Sequence, residues 1–135
     1  MRQALRESME RPEAAGVLLG VERLGEAGIV GHVNLIVGEH GQGEIGFLFN
    51  PEHQGRGYAT EAARALLGLA FERYGLHRVY GRLEPRNVAS ARVLEKLGMR
   101  REALLVENEW VKGEWQSEAI YALLDREWEA RRVCA

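Results

Sequence analysis

Apolar residues along this chain follow two different periods, and the change of period divides it into two halves. Val17–Arg23 and Ile29–Val37 read as two strands joined by a turn containing Gly25 and Gly28. Gly38–Gly43, which includes His40, reads as a second hairpin connection and leads into a third strand, Glu44–Phe49. Pro51 ends that strand, and the spacing then becomes helical. Ala59, Ala62, Ala63, Leu66, Leu67, Ala70, Phe71 and Tyr74 fall on one broad stripe, and Gly75 is placed to stop the helix.

Val79–Leu83 follows as a short strand. A strand–helix–strand order predicts a right-handed crossover with the two strands parallel. Asn87 is a good N-cap for a second helix, with Leu94 and Leu97 facing inward and Gly98 closing it. Leu104–Val111 and Trp115–Leu124 form a long hairpin over a Lys112-Gly113 turn, with Trp110 and Trp115 placed to pair across it. At the other end, residues 2–10 are good helix formers with Leu5 and Met9 four apart, so a short helix stopped by Pro12 is predicted. The class is α+β (mixed α/β): antiparallel meander, crossover helix, parallel strand, helix, C-terminal hairpin.

Composition narrows the function. One domain of 135 residues with a formal net charge of −2 has no basic excess for binding a nucleic-acid backbone. The 18 basic residues are almost all arginine, a bias no single site would need. No apolar run approaches the length that crosses a bilayer, and the charged stretch Met1–Arg11 lacks a signal peptide's apolar core. Cys134 is the only cysteine, so no internal disulfide forms; a reduced, cytoplasmic location is the default expectation. No metal is expected.

The one unusual junction is Gln54-Gly55-Arg56-Gly57-Tyr58-Ala59-Thr60, between a strand and a helix. Two glycines permit positive φ and close approach of a ligand to the backbone. Successive N–H groups there, with those of the helix's first turn, make an anion nest suited to a pyrophosphate. A tight turn that needs glycine only for geometry is the competing reading. Two better-known phosphate loops do not fit. A Walker A loop needs four residues between its glycines and then Lys-Ser/Thr. A dinucleotide fingerprint needs Gly or Ala at Thr60 and an early βαβ unit.

Gln54-x-x-Gly57-x-Ala59 does resemble the Gln/Arg-x-x-Gly-x-Gly/Ala signature of the GCN5-related N-acetyltransferases (GNAT). The stretch from Gly43 to Ala63, the later Asn87-x-x-Ser90-x-x-x-x-Glu95-Lys96-x-Gly98-Met99 and the Lys112-Gly113-Glu114-Trp115 turn are similar to the RimJ/RimL-type subgroup, which acetylates ribosomal-protein N-termini. The likeness runs from about residue 17 to residue 124. It implies a GNAT-like acyl-CoA N-acyltransferase fold and acetyl-CoA as co-substrate, with direct transfer to an amine in a ternary complex. By the same resemblance, the cofactor's pyrophosphate lies on Gln54, Gly55, Arg56, Gly57, Tyr58, Ala59 and Thr60. The pantetheine arm lies like a short strand beside Phe47, Leu48 and Phe49, and Asn87 and Ser90 are further cofactor contacts. By their charge, Arg56 and Arg92 are candidates to meet the nucleotide's phosphates.

Acyl transfer from a thioester needs a base for the amine and a proton for the departing sulfur. Glu44, at the start of the strand beside the cofactor, is the first candidate base, with His32 and His53 as alternatives. Strand alternation puts Glu44, Gly46, Leu48 and Asn50 on one face. Ser90 is the candidate acid that the resemblance suggests, because Leu94 stands where many relatives carry a tyrosine. Glu107 and Glu109, on the hairpin, are placed to attract a cationic amine, or they are simply solvated strand charges. Relative to the family pattern, a first strand and helix ahead of the meander are expected to be missing from this single domain of residues 1–135. That would leave a sheet edge open and favour a homodimer. The expected acceptor is a protein N-terminus or a small-molecule amine. The alternative is a catalytically weak acyl-CoA-binding or sensory domain.

Overall fold

The computed structural model describes residues 3–11, 16–23, 29–49 and 57–134, with side chains for 31–47 and 57–131. These residues form a seven-stranded sheet in the order β1-β2-β3-β4-β5-β7-β6. The strands are β1 (Gln3–Arg11), β2 (Gly16–Arg23), β3 (Ile29–Val37), β4 (Gln42–Phe49), β5 (Arg78–Leu83), β6 (Arg100–Val111) and β7 (Glu114–Leu124). Neighbours pair antiparallel except β4 and β5, which are parallel because helix α1 (Tyr58–Gly68) carries the chain from one to the other. The meander, crossover, parallel strand, second helix (α2, Val88–Lys96) and terminal hairpin all stand where the hydrophobic pattern put them.

The core is one layer between the sheet and α1. Alternation on β3 and β4 turns Val33, Leu35 and Ile45 inward, against the Tyr58, Ala62, Ala63, Leu66 and Leu67 stripe. The predicted helix does not run regularly to Tyr74. From Leu69 to Arg73 it widens into a π-turn, with Tyr74 N–H donating to Leu69 O at 2.9 Å. The wider turn keeps both Ala70 and Phe71 buried. Gly75, at φ 63°, ends the segment as expected.

Two elements differ from the sequence reading. Residues 2–10 were expected to be helical, but Gln3–Arg11 is a strand antiparallel to β2, with an irregularity between Glu7 and Met9. Helix propensities among such residues differ by only tenths of a kcal/mol. An unpaired β2 edge would expose a row of backbone donors and acceptors, and β1 satisfies that row. The edge expected to be open is therefore covered. The chain also continues past the hairpin into α3 (Asp125–Cys134), which was not foreseen. Its Trp128 stacks on Phe71 with centroids 5.8 Å apart and donates through Nε1 to Glu72 at 2.9 Å. Trp110 and Trp115 meet edge to face across the hairpin at 5.3 Å, as the sequence suggested.

Candidate active site

The site begins with an interruption in the sheet. β4 and β5 share only three rungs: Gln42–Arg78, Gly43–Val79 and Glu44–Tyr80. Beyond Glu44, β4 continues with β3 to the Gly31–Phe49 rung, while β5 continues with β7 to Leu83–Ala119. The two strands diverge from that point, and among the described residues their facing backbone groups belong to no ladder. Phe47 packs half-buried against the core on β4, and the backbone of Leu48 and Phe49 pairs with His32 and Gly31. A bound group carrying its own amides could supply rungs here.

The start of α1 lies next along the chain. Gly57 is its N-cap at φ 80°, a left-handed conformation that costs other residues about 1 kcal/mol or more, and it has no side chain to cap the helix. The first intrahelical bond is Glu61 N–H to Gly57 O at 3.0 Å, so no helix carbonyl serves the N–H groups of Ala59 and Thr60. The Tyr58 side chain is buried in the core and does not face a ligand at this helix start. These N–H groups and the helix dipole favour an anion. Gln54, Gly55 and Arg56, and the alternative base His53, lie outside the described residues.

Glu44 sits on the last shared rung, on the sheet face opposite α1. Arg82 grips it from the neighbouring strand, Nε to Oε2 at 2.9 Å and Nη2 to Oε1 at 3.2 Å, and the Tyr80 hydroxyl is 3.5 Å from Oε1. The hydrogen bonds from Arg82 to Glu44, and then their charge attraction, push the Arg82 guanidinium further above its ordinary value. A carboxylate has about four lone-pair sites, so this grip orients Glu44 and leaves acceptor capacity for a further donor. A cavity of about 370 Å³ at the β3–β4 turn reaches Glu44 and Tyr80, with Ile36, Glu39 and His40 on its other walls. His32, the other alternative base, is exposed on β3.

The second helix starts as the sequence indicated. The Asn87 side chain accepts the Ser90 N–H at 3.1 Å, which caps α2 and puts Ser90, half-buried, in its first turn. Arg92 is exposed on α2, and Leu94 is buried at 2% exposure. Glu84, just before this helix, had no place in the sequence reading. Desolvation would raise its carboxyl, but hydrogen bonds from the Arg86 N–H and guanidinium and from the Ser117 N–H outweigh it. They hold Glu84 below the ordinary value of 4.5. Arg82 was also missed. Its signal was the alternation Arg78-x-Tyr80-x-Arg82, which puts all three on the face that carries Glu44. Glu107 and Glu109 are exposed on β6, Glu107 at φ 48° in a bulge. Among the described residues no group of His, Cys, Asp and Glu could hold a metal ion, and no helix is long and apolar enough to cross a membrane.

Comparison with known proteins agrees with this geometry. Residues 1–100 match the acetyltransferase (GNAT) domain model. The uncharacterized N-acetyltransferase YnaD of Bacillus subtilis (strain 168) is 42% identical over 102 residues, 74% of this chain, and the chain spans 59% of that protein's length. A GNAT-family acetyltransferase structure from Bacillus anthracis superposes with a TM-score of 0.77 at 39% identity, covering 82% of this chain and 67% of that one. Spermidine N-acetyltransferase from Vibrio cholerae, in complex with CoA and spermine, gives 0.79 at 26% identity, covering 87% of this chain and 70% of that one.

Proposed function

The chain belongs to the GNAT acetyltransferase family, and from that premise we propose that it moves the acetyl group of acetyl-CoA directly to a primary amine. The observation that carries this reading is the divergence of β4 and β5 beside the uncapped start of α1. An opened sheet with unladdered backbone suits an amide-bearing arm, and a helix start without a cap suits the pyrophosphate at the end of that arm.

Acetyl-CoA, when bound, supplies an acetyl carbonyl activated as a thioester. In the proposed reaction Glu44 takes a proton from the ammonium form of the acceptor, held in orientation by Arg82. The amine nitrogen then bonds to the acetyl carbon, the carbon–sulfur bond breaks, and the sulfur leaves with the electron pair. The Ser90 hydroxyl gives that sulfur a proton and regains one from the nitrogen, which sheds its second proton as the amide forms. The acetylated amine and CoA then leave, and Glu44 returns its proton to solvent. A thiolate is a good leaving group of ordinary acidity, so a weak acid in this place is chemically sufficient. Gln54 and Gly55 to Thr60 hold the pyrophosphate, Phe47, Leu48 and Phe49 line the arm, and Asn87, Ser90, Arg56 and Arg92 contact the rest of the cofactor.

Within this reading the motif set supports a RimJ/RimL-type enzyme, and the single cysteine favours a cytoplasmic location. The outer edge of β1, the last strand of the described sheet, is where a second copy would pair in a homodimer. The acceptor is a protein N-terminus or a small amine such as the spermine in the Vibrio cholerae complex. A second reading, an acyl-CoA-binding module with little turnover, is favoured by one observation: the buried Leu94 has no proton to give where relatives carry a tyrosine.

Calorimetry with acetyl-CoA, followed by CoA release against amines and N-terminal peptides, separates the two. Binding together with amine-stimulated release is expected. No binding at high micromolar acetyl-CoA would sink both readings, and binding without release would select the second.

A further inference from the structure

β5 stops pairing with β7 at the Leu83–Ala119 rung. Continuing that register would set residue 85 against Ser117, but Pro85 has no N–H to donate. The chain turns instead, with Asn87 N–H donating to Glu84 O at 2.8 Å, and α2 begins.

Where the ladder ends, the Glu84 side chain ties the turn to the hairpin through Arg86. Its carboxylate accepts the Arg86 N–H and, at 2.8 Å, the Arg86 Nε. Arg86 Nη2 reaches on to Glu114 Oε1 near the hairpin tip, at 2.8 Å. Ser117 Oγ in turn accepts the Glu107 N–H from the β6 bulge, also at 2.8 Å. Hydrogen bonds therefore run from Glu114 of the hairpin through Arg86 and Glu84 to Asn87 at the start of α2, and Ser117 braces the hairpin itself.

Apolar packing holds that start only from its far side, where Ala91 and Val93 lie half-buried against the core. Leu94, in the middle of α2, is the helix's only buried residue, while Val88 and Ala89 in the first turn are exposed. The first turn nevertheless carries Ser90, and its cap is Asn87. We propose that Glu84 is a positioning residue for acetyl transfer: it fixes the Asn87 cap and Ser90 against the β6–β7 hairpin. This rests on the acetyltransferase reading above. Glutamate suits the task because its two oxygens take one Arg86 donor each; glutamine has only one acceptor oxygen, and aspartate is shorter by a methylene.

The test uses the full chain carrying Glu84→Ala or Glu84→Gln, with acetyl-CoA and an amine that the wild type acetylates. Glu84→Ala is expected to lower kcat/KM for acetyl-CoA about tenfold, as misplacement of a reacting group does, with KM for the amine within about twofold. Amide exchange should quicken about tenfold at residues 84 and 86–90 and stay unchanged in β2 and β3. Glu84→Gln should fall between alanine and wild type, which gives a reading even if the alanine variant folds poorly. Unchanged kinetics in both variants would overturn the proposal, as would exchange that rises evenly over the whole sheet. Should the wild-type chain neither bind acetyl-CoA nor release CoA, the functional reading fails. The exchange measurement alone then decides whether Glu84 holds α2.

Discussion

Replacing Glu44 with glutamine is expected to lower kcat for acetyl transfer by about two orders of magnitude and to leave acetyl-CoA affinity within about twofold, the signature of a lost proton acceptor. Glutamine keeps the shape of the side chain and one acceptor oxygen, so Arg82 retains part of its contact. The amide cannot take a proton from an ammonium group, so most of the loss should appear in kcat. In the proposed reading the cofactor is held elsewhere, by backbone groups on the diverging strands and the start of α1. Rates measured between about pH 6 and pH 9, alongside calorimetry, decide the matter. Equal rates for the variant and the wild type at every pH would remove Glu44 as the base and return attention to His32 and His53.

A second large effect is expected from the other side of the sheet. Leu66→Ala should cost about 2–5 kcal/mol, because the leucine has no exposed surface and sits in the middle of the α1 stripe against β3 and β4. In a domain of this size that lowers the melting temperature by roughly 10 °C. Urea or thermal unfolding followed by circular dichroism measures it. A cost below about 1 kcal/mol would mean that the layer between α1 and the sheet closes over the lost volume, so that α1 is less firmly seated than its burial indicates. Added acetyl-CoA should still raise the variant's melting point, because the N–H groups of Ala59 and Thr60 lie two turns from the cavity.

The parts of the fold legible in the sequence were those fixed by local patterns. The α1 stripe, the Asn87 cap, Gly75 and the Lys112-Gly113 turn each depend on a few neighbouring residues, and each was read correctly. What escaped depends on distant partners. Gln3–Arg11 has the propensities of a helix and becomes a strand only because β2 offers an edge to pair with. The α3 segment has few apolar residues, and its contacts are long-range ones such as Trp128 meeting Phe71 more than fifty positions away and Glu127 pairing with Arg100.

The candidate site divides in the same way. Glu44, Asn87 and Ser90 were visible as residues in recognisable motifs. Arg82 was not, because a cross-strand ion pair has no fixed spacing in sequence. Glu84 was missed for a related reason. Its role follows from where a β-ladder fails at Pro85, which shows only once β5 and β7 are known to be neighbours.

The three-rung seam between β4 and β5 also has a mechanical meaning. It divides the sheet into two leaves, β1 to β4 and β5 with β7 and β6, joined along one short line. Such a plate is stiff within each leaf and compliant at the join. A ligand arm laid into the divergence would add rungs there and splice the leaves together, so that loading of the site would be felt as rigidity at the outermost strands.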